Sequence, residues 1–181
     1  MVEVSKEKSV WKTKEFYIRP ATIEDAPALV KHMEEVLKDR MASLADLDEM
    51  ILDTWSERDH LRRIETNPLA IALVAVHEQE IIGLITCEGG RRRKTAHVAE
   101  IGMSVKEKWR RKGVGSALLE RAEEWARSTG KIRKLALNVF EHNHAAISLY
   151  QKHGFVVEGR LAGQINLDGE LQDLLLMAKY L

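Results

Sequence analysis

A chain of 181 residues is the size of one domain and long enough to bury a real core. Its 28 Lys and Arg balance 28 Asp and Glu, which argues against a dedicated nucleic-acid binder, whose domain carries a basic excess. The one cysteine, Cys87, excludes an internal disulfide and fits a reducing compartment, the polar opening MVEVSKEKSVWKTKE lacks the apolar core of a signal peptide, and no apolar run approaches membrane-spanning length, so a soluble cytoplasmic setting is expected.

With no internal repeat and no Pro/Gly/Ser-rich linker, the chain reads as a loosely held tail over 1–14 and one domain over 15–181. EFYIRP predicts a short strand closed by Pro20. Thr22 to Asp25 fits a capping box, with Asp25 an alternative cap, and Leu29, Val30, Met33, Val36 and Leu37 follow at helical spacing. Leu47, Ile51, Trp55, Leu61 and Ile64 suggest a second, less regular helix ended by Asn67-Pro68. LAIALVAV and IIGLITCE predict a hairpin turning at HEQE, and AHVAEIGMSV a third strand beyond the polar loop GGRRRKT. Gly113 to Thr129 is helical, with Val114, Leu118, Ala122, Trp125 and Ala126 as one apolar stripe and Gly130 as its stop. IRKLALNVF is a strand, NHAAISLYQKHG a helix with Asn143 as N-cap, FVVEGRL a strand, NLDGE a turn, and LQDLLLMAKYL the last strand. Helices on a mixed sheet follow from this order, an α/β or α+β sandwich.

The stretch WRRKGVG sets three cations directly before two glycines and a helix start. Glycines let the backbone approach a ligand, and helix-opening amides favour an anion, most often a phosphate. A lone GxG beside basic residues is a weak signal, and taken alone it reads better as a solvated cationic turn. The Walker pattern is absent, and GxGxxG fails because Leu118 stands where the third glycine belongs, so a different phosphate-bearing ligand is left.

Arg110 to Gly115 resembles the Q/R-x-x-G-x-G/A signature of the GNAT superfamily of acyl-CoA-dependent N-acyltransferases, with Glu100 to Val105 ahead of it and a helix behind it in that family's order. Asn143 to Phe155 resembles the second signature, N-x-x-A-x-x-x-Y-x-x-x-G-F. The resemblance spans roughly residues 16–181. The resemblance implies a single domain whose central sheet is mixed, mostly antiparallel and twisted, flanked by helices, with splayed central strands. It implies acetyl-CoA as co-substrate, with no metal: the diphosphate on Arg110, Arg111, Lys112, Gly113, Val114, Gly115 and Ser116, and the pantetheine arm paired with Met103 and Val105 and hydrogen-bonded by Asn138 and Asn143, beside Ala146.

Asn143, Ala146 and Tyr150 share one helix face by their i, i+3, i+7 spacing. The family gives the matching Tyr the role of general acid toward the departing thiolate; a Tyr that only packs its helix is the alternative. Glu100 is the candidate base, because several relatives carry a carboxylate in that strand; a cross-strand pair with Arg92 or Arg93 is nearly as good a reading. His97 and Asp173 are weaker candidates. The histidines at 142, 144 and 153 match no zinc spacing, Cys87 has no nucleophile signature, and Arg91 to Lys94 reads best as a solvated loop, with an acidic acceptor or the 3′-phosphate of CoA as further uses. No Trp interleaves with a basic stripe, which leaves stacking on nucleic acid unsupported.

The expected activity is transfer of acetyl from acetyl-CoA to the primary amine of a small molecule or amino acid in a ternary complex. A protein N-terminal acetyltransferase is the rival within the class, and a non-catalytic CoA-binding module the rival outside it. Acidic residues at Glu34, Glu35, Asp46, Asp48 and Glu49 slightly favour a cationic acceptor such as a polyamine, although such residues more often form a solvated helix face. A homodimer is carried over from the resemblance alone.

Overall fold

The run Ala70–His77 is apolar at nearly every position because its strand is covered on both faces. Ala70, Ala72, Val74 and Val76 enter one core cluster with Ala26, Leu29, Leu61 and Ile64. The alternating residues Leu73 and Ala75 enter a second cluster with Leu118, Leu119, Ala122 and Tyr150. One strand feeding two cores on a period of two is a helix–sheet–helix sandwich. The computed structural model describes residues 10–13, 15–39 and 52–181.

In chain order the elements are β1 (Trp11–Lys12), β2 (Tyr17–Pro20), α1 (Ala26–Val36), α2 (Thr54–Thr66), β3 (Ala70–His77), β4 (Glu80–Gly89), β5 (Val98–Val105), α3 (Val114–Ser128), β6 (Lys134–Phe140), α4 (His144–Lys152), β7 (Val156–Leu167) and β8 (Glu170–Tyr180). The expected order of strands and helices holds. Two residues of the expected tail, Trp11 and Lys12, pair antiparallel with Ile18 and Tyr17. Helix α2 is capped by Asp53, whose carboxylate accepts from Trp55 N at 2.8 Å and Ser56 N at 3.0 Å. Leu61 and Ile64 of its expected stripe are buried, but Trp55, in the first turn, is 75% exposed. Leu47 and Ile51 of that stripe lie outside the described residues.

The sheet runs β1-β2-β3-β4-β5-β6-β8-β7, antiparallel throughout except between β5 and β6. That parallel pair holds for three rungs only, Val98↔Lys134, Ala99↔Leu135 and Glu100↔Ala136. Beyond it β5 stays paired with β4 to Val105, and β6 stays paired with β8 to Phe140. The two strands therefore part after Glu100, leaving facing edges over 101–105 and 137–140. This is the expected splay, in the middle of the sheet and open to helices α3 and α4.

Hairpin β3–β4 turns on Glu78 and Gln79, between the paired His77 and Glu80. Both turn residues have positive φ, 44° and 75°, a conformation that a two-residue hairpin favours and that L side chains resist. Replacing Glu78-Gln79 by Asn-Gly is expected to raise stability by about 1 kcal/mol, read as a higher urea midpoint at unchanged slope.

Candidate active site

Where β5 and β6 part, a cleft of about 1380 Å³ opens. Met103 and Val105 line it from the β5 edge and Asn138 from the β6 edge. Arg110, Arg111, Gly113, Gly115 and Ser116 line it from the start of α3, and Asn143, Ala146 and Tyr150 from α4. Twelve of the fourteen residues expected at the site, Glu100 included, thus face one cavity.

The start of α3 is built for close backbone approach. Gly113 takes φ +84° with nothing within 4 Å of a would-be Cβ, and Arg111 sits at φ 60°, uncommon for a side-chain-bearing residue. The first i→i−4 bond of the helix runs from Ala117 N to Gly113 O at 3.0 Å. The amides of Val114, Gly115 and Ser116 precede it and so have no partner within the helix. Unpaired amides and the helix dipole make this turn attractive to an anion. Arg110 is fixed across the cleft: its Nη1 donates to Asp39 at 2.6 Å and its Nε to Val105 O at 3.2 Å.

Two of the expected residues do not line the cleft. The Lys112 ammonium lies over the Trp109 ring, 4.8 Å from its centroid, and does not line the cleft. Val114 is 1% exposed and belongs to the core cluster beneath β4. Val114 opens the helix with its side chain turned into the core, so it offers backbone alone, while Lys112 lies in the turn ahead of the helix with its ammonium over Trp109.

Helix α4 starts where expected. Asn143 Oδ1 accepts from Ala146 N at 3.1 Å, so the cap and the cleft use the same side chain. About two turns past the cap, Tyr150 is 7% exposed, its ring 5.7 Å from that of Phe155. Burial alone pushes its phenol up to about 12, and among the described residues no group hydrogen-bonds the hydroxyl. A phenol that is buried, protonated and aimed at the cleft can donate to a group arriving there.

Strand β5 alternates. Ile101 packs in the α3 core, while the Ser104 hydroxyl lies 2.8 Å from His32 Nε2 on α1. Glu100 and Gly102 share the Ser104 face. The rung Glu88↔Glu100 puts a second carboxylate directly opposite Glu100 on that face, and both line the cleft. The alternative reading of Glu100, a cross-strand pair with Arg92 or Arg93, does not hold: both arginines are exposed outside the cleft, and the residue opposite Glu100 is Glu88. Glu88 escaped the sequence reading. The polar end of the apolar strand IIGLITCE was its signal, but only the register gives it meaning.

The weaker candidates are placed elsewhere. Asp173 accepts from Gly163 N at 2.7 Å and pairs with Arg160, bracing the β7–β8 hairpin, and exposed His97 lies outside the cleft. His142 and His144 line the cleft, and His153 Nε2 meets Ser116 Oγ at 3.1 Å, tying α4 to α3. Among the described residues no group of three or more His, Cys, Asp or Glu is arranged to hold a metal ion. Cys87 is fully buried, its thiol pushed up to about 12 by burial, which makes it inert at neutral pH. No described helix is long and apolar enough to cross a membrane.

The sequence pattern described as the acetyltransferase (GNAT) family matches residues 39–155, which spans both signature segments and the cleft between them. The chain belongs to the GNAT acetyltransferase family. Among curated GNAT relatives, an L-amino acid N-acetyltransferase of Escherichia coli is 32% identical over 123 residues, 67% of this chain and 76% of that protein. A ribosomal protein uS5-alanine N-acetyltransferase of Escherichia coli is 30% identical over 101 residues, 56% of this chain and 52% of that one. The crystal structure of a GNAT acetyltransferase from Streptococcus pneumoniae superposes with a TM-score of 0.89 at 32% identity, covering 92% of this chain and 100% of its own. More distant neighbours that share the GNAT fold were solved with acetyl-CoA and with coenzyme A.

Proposed function

We propose that this GNAT enzyme transfers the acetyl group of acetyl-CoA to the primary amine of an amino acid or other small molecule, by direct attack in a ternary complex. One observation carries the reading: β5 and β6 lose their pairing after Glu100, in a cleft that also holds the start of α3 and the buried Tyr150 hydroxyl. The free β5 edge at Met103 and Val105 suits an extended pantetheine arm pairing as an added strand. Asn138, Asn143 and Ala146 flank that arm. The amides from Gly113 to Ser116, with Arg110 and Arg111, suit its diphosphate.

The chemistry follows from charge. The amine reaches the site as an ammonium and loses one proton to Glu100, directly or through water. Its lone pair attacks the thioester carbon, the C–N bond forms, and the oxyanion of the tetrahedral intermediate is met by backbone N–H near Met103. The C–S bond then breaks. Tyr150 donates to the sulfur, and the second amine proton restores the phenol. One proton ends on CoA and one in solvent, so the balance closes. Burial that lifts the phenol to about 12 also disfavours a bare thiolate in the same cleft, so proton donation and desolvation act in the same direction.

Arg111→Ala is expected to weaken acetyl-CoA about tenfold by calorimetry, because a phosphate loses one charge-assisted partner, while the urea midpoint stays unchanged. The function itself is tested by thiol release with a panel of amines, amino acids and N-terminal peptides. Release that depends on a small amine supports the reading. Release with peptides alone moves the acceptor to protein N-termini, the activity of the uS5-alanine relative. Thiol that never exceeds the amine-free rate leaves a CoA-binding module.

A further inference from the structure

The acceptor side of the cleft carries charges that the fold does not use. Glu88 and Glu100 are a directly opposed pair, a like-charge rung that destabilises a sheet. Among the described residues neither has a hydrogen-bond or ion-pair partner, and nor does Arg91, which lines the same cleft three residues past Glu88. Some acids elsewhere on the molecule are matched at close range, Glu35 and Glu80 by Lys106 at 2.5 Å and Glu123 by Lys179 at 2.6 Å. Glu88, Glu100 and Arg91 instead line one cleft together, at the end of the β4–β5 hairpin where β5 and β6 part.

The hairpin holds this set in place. Gly90 N donates to Val98 O at 3.0 Å, and a Cβ on Gly90 would lie 2.5 Å from both Thr95 O and Thr95 Oγ1. The backbone is pressed against Thr95 with no room for a side chain, which fixes Arg91 within a few residues of the acidic rung. Gly102, on the face of Glu100, leaves the floor beside it clear, only the Thr86 hydroxyl coming within 4 Å of a would-be Cβ. A second feature marks the space as one that takes a ligand: the Tyr150 side chain, 7% exposed, lines the same cleft, and no described group hydrogen-bonds its hydroxyl.

Two carboxylates and a guanidinium that line one cleft match a zwitterion. We propose that the acceptor is a free α-amino acid, its ammonium held by Glu88 while Glu100 takes the proton, and its α-carboxylate bound by Arg91. This rests on the acetyltransferase reading and narrows it. A polyamine would be repelled by Arg91, and a peptide N-terminus has no carboxylate for it to bind. An Arg guanidinium is suited to a carboxylate through two parallel N–H donors.

The test compares the twenty L-amino acids with their α-carboxamides, which keep shape and amine and lose only the negative charge. The amide's amine has a peptide-like pKa of about 7.7–8.0 and is more often neutral, so a preference for the acid is not owed to amine reactivity. At least one amino acid is expected to exceed its carboxamide about tenfold or more in kcat/KM. Arg91→Ala is expected to cut that ratio to within about threefold by slowing the acid alone, and Arg91→Lys to restore part of it. Glu88→Gln is expected to raise the amino-acid KM about tenfold with the acetyl-CoA KM unchanged. Equal use of acid and carboxamide, or an Arg91→Ala loss shared by both, overturns the proposal and leaves the acetyltransferase reading intact. Binding of each pair to the CoA complex is followed by calorimetry alongside. If no amine is acetylated, the activity falls first, and a carboxylate preference in that binding then upholds the zwitterion site while its absence overturns it.

Discussion

Replacing Tyr150 by Phe is expected to lower kcat by about 10²- to 10⁴-fold, the usual size of a lost general acid. The substitution removes one oxygen and leaves the ring, which packs beside Phe155 in the α3–α4 core, so the fold and the acetyl-CoA affinity are expected to stay within about threefold. The pH dependence gives an independent check. A phenol lifted to about 12 keeps its proton through the neutral and mildly alkaline range. Activity of the unmodified enzyme is therefore expected to show no alkaline loss from Tyr150 up to about pH 10. Pre-steady-state thiol release, which separates chemistry from product release, measures both. A Phe variant that turns over at the unmodified rate removes Tyr150 from the chemistry.

Acidification from pH 7.5 to 5 is expected to cost about 2 kcal/mol of folding stability through His32, or roughly 4–8 °C in Tm. His32 is 0% exposed on α1. Its pKa is lowered to about 4, first by burial; Lys106 lowers it further, and the Ile81 carbonyl, Glu35 and Glu80 oppose the shift in part. In the unfolded chain the same imidazole has a pKa of about 6.5. Between these values the unfolded state binds the extra proton. Stability is full above pH 6.5 and falls as pH drops toward 4, with roughly 3 kcal/mol at stake across the window. The Ser104 contact is lost with it, and Ser104 lines the cleft, so activity is expected to fall with the fold. Urea titrations of the unmodified chain and of His32→Asn at both pH values check this: the difference between pH values shrinks in the variant whatever its absolute stability. A His32→Asn protein with the same pH slope assigns the loss to other groups.

These two residues mark the range of what a sequence displays. The helix face of Tyr150 was legible because its neighbours are local: Asn143, Ala146 and Tyr150 share it by a period of 3.6, while its role as acid came from the family resemblance alone. The stripe Val114, Leu118, Ala122, Trp125 and Ala126 was legible for the same reason: four of the five are buried at 1% or less, and Trp125 is half-buried. His32 was not, because a lone polar residue in an amphipathic helix reads as solvated until β5 brings Ser104 beneath it from 72 positions away. Glu88 is the same case across a hairpin. The order of elements could be read along the chain. The parting of β5 and β6 could not, since both strands look equally regular, and a splay is a statement about pairs; it entered through the family resemblance and is visible in the register. Trp55 shows the converse error. Apolar spacing put it in a stripe, but it falls in the first turn after the Asp53 cap and faces outward.

The most direct test of the account is a crystal structure of the chain with coenzyme A. The predicted result has the pantetheine arm paired along Met103 to Val105 between β5 and β6, the diphosphate on the amides of Val114 to Ser116, and the sulfur within about 3.5 Å of the Tyr150 hydroxyl. A coenzyme lodged outside this cleft, or a sulfur that approaches another side chain while Tyr150 stays sealed in the core, contradicts it.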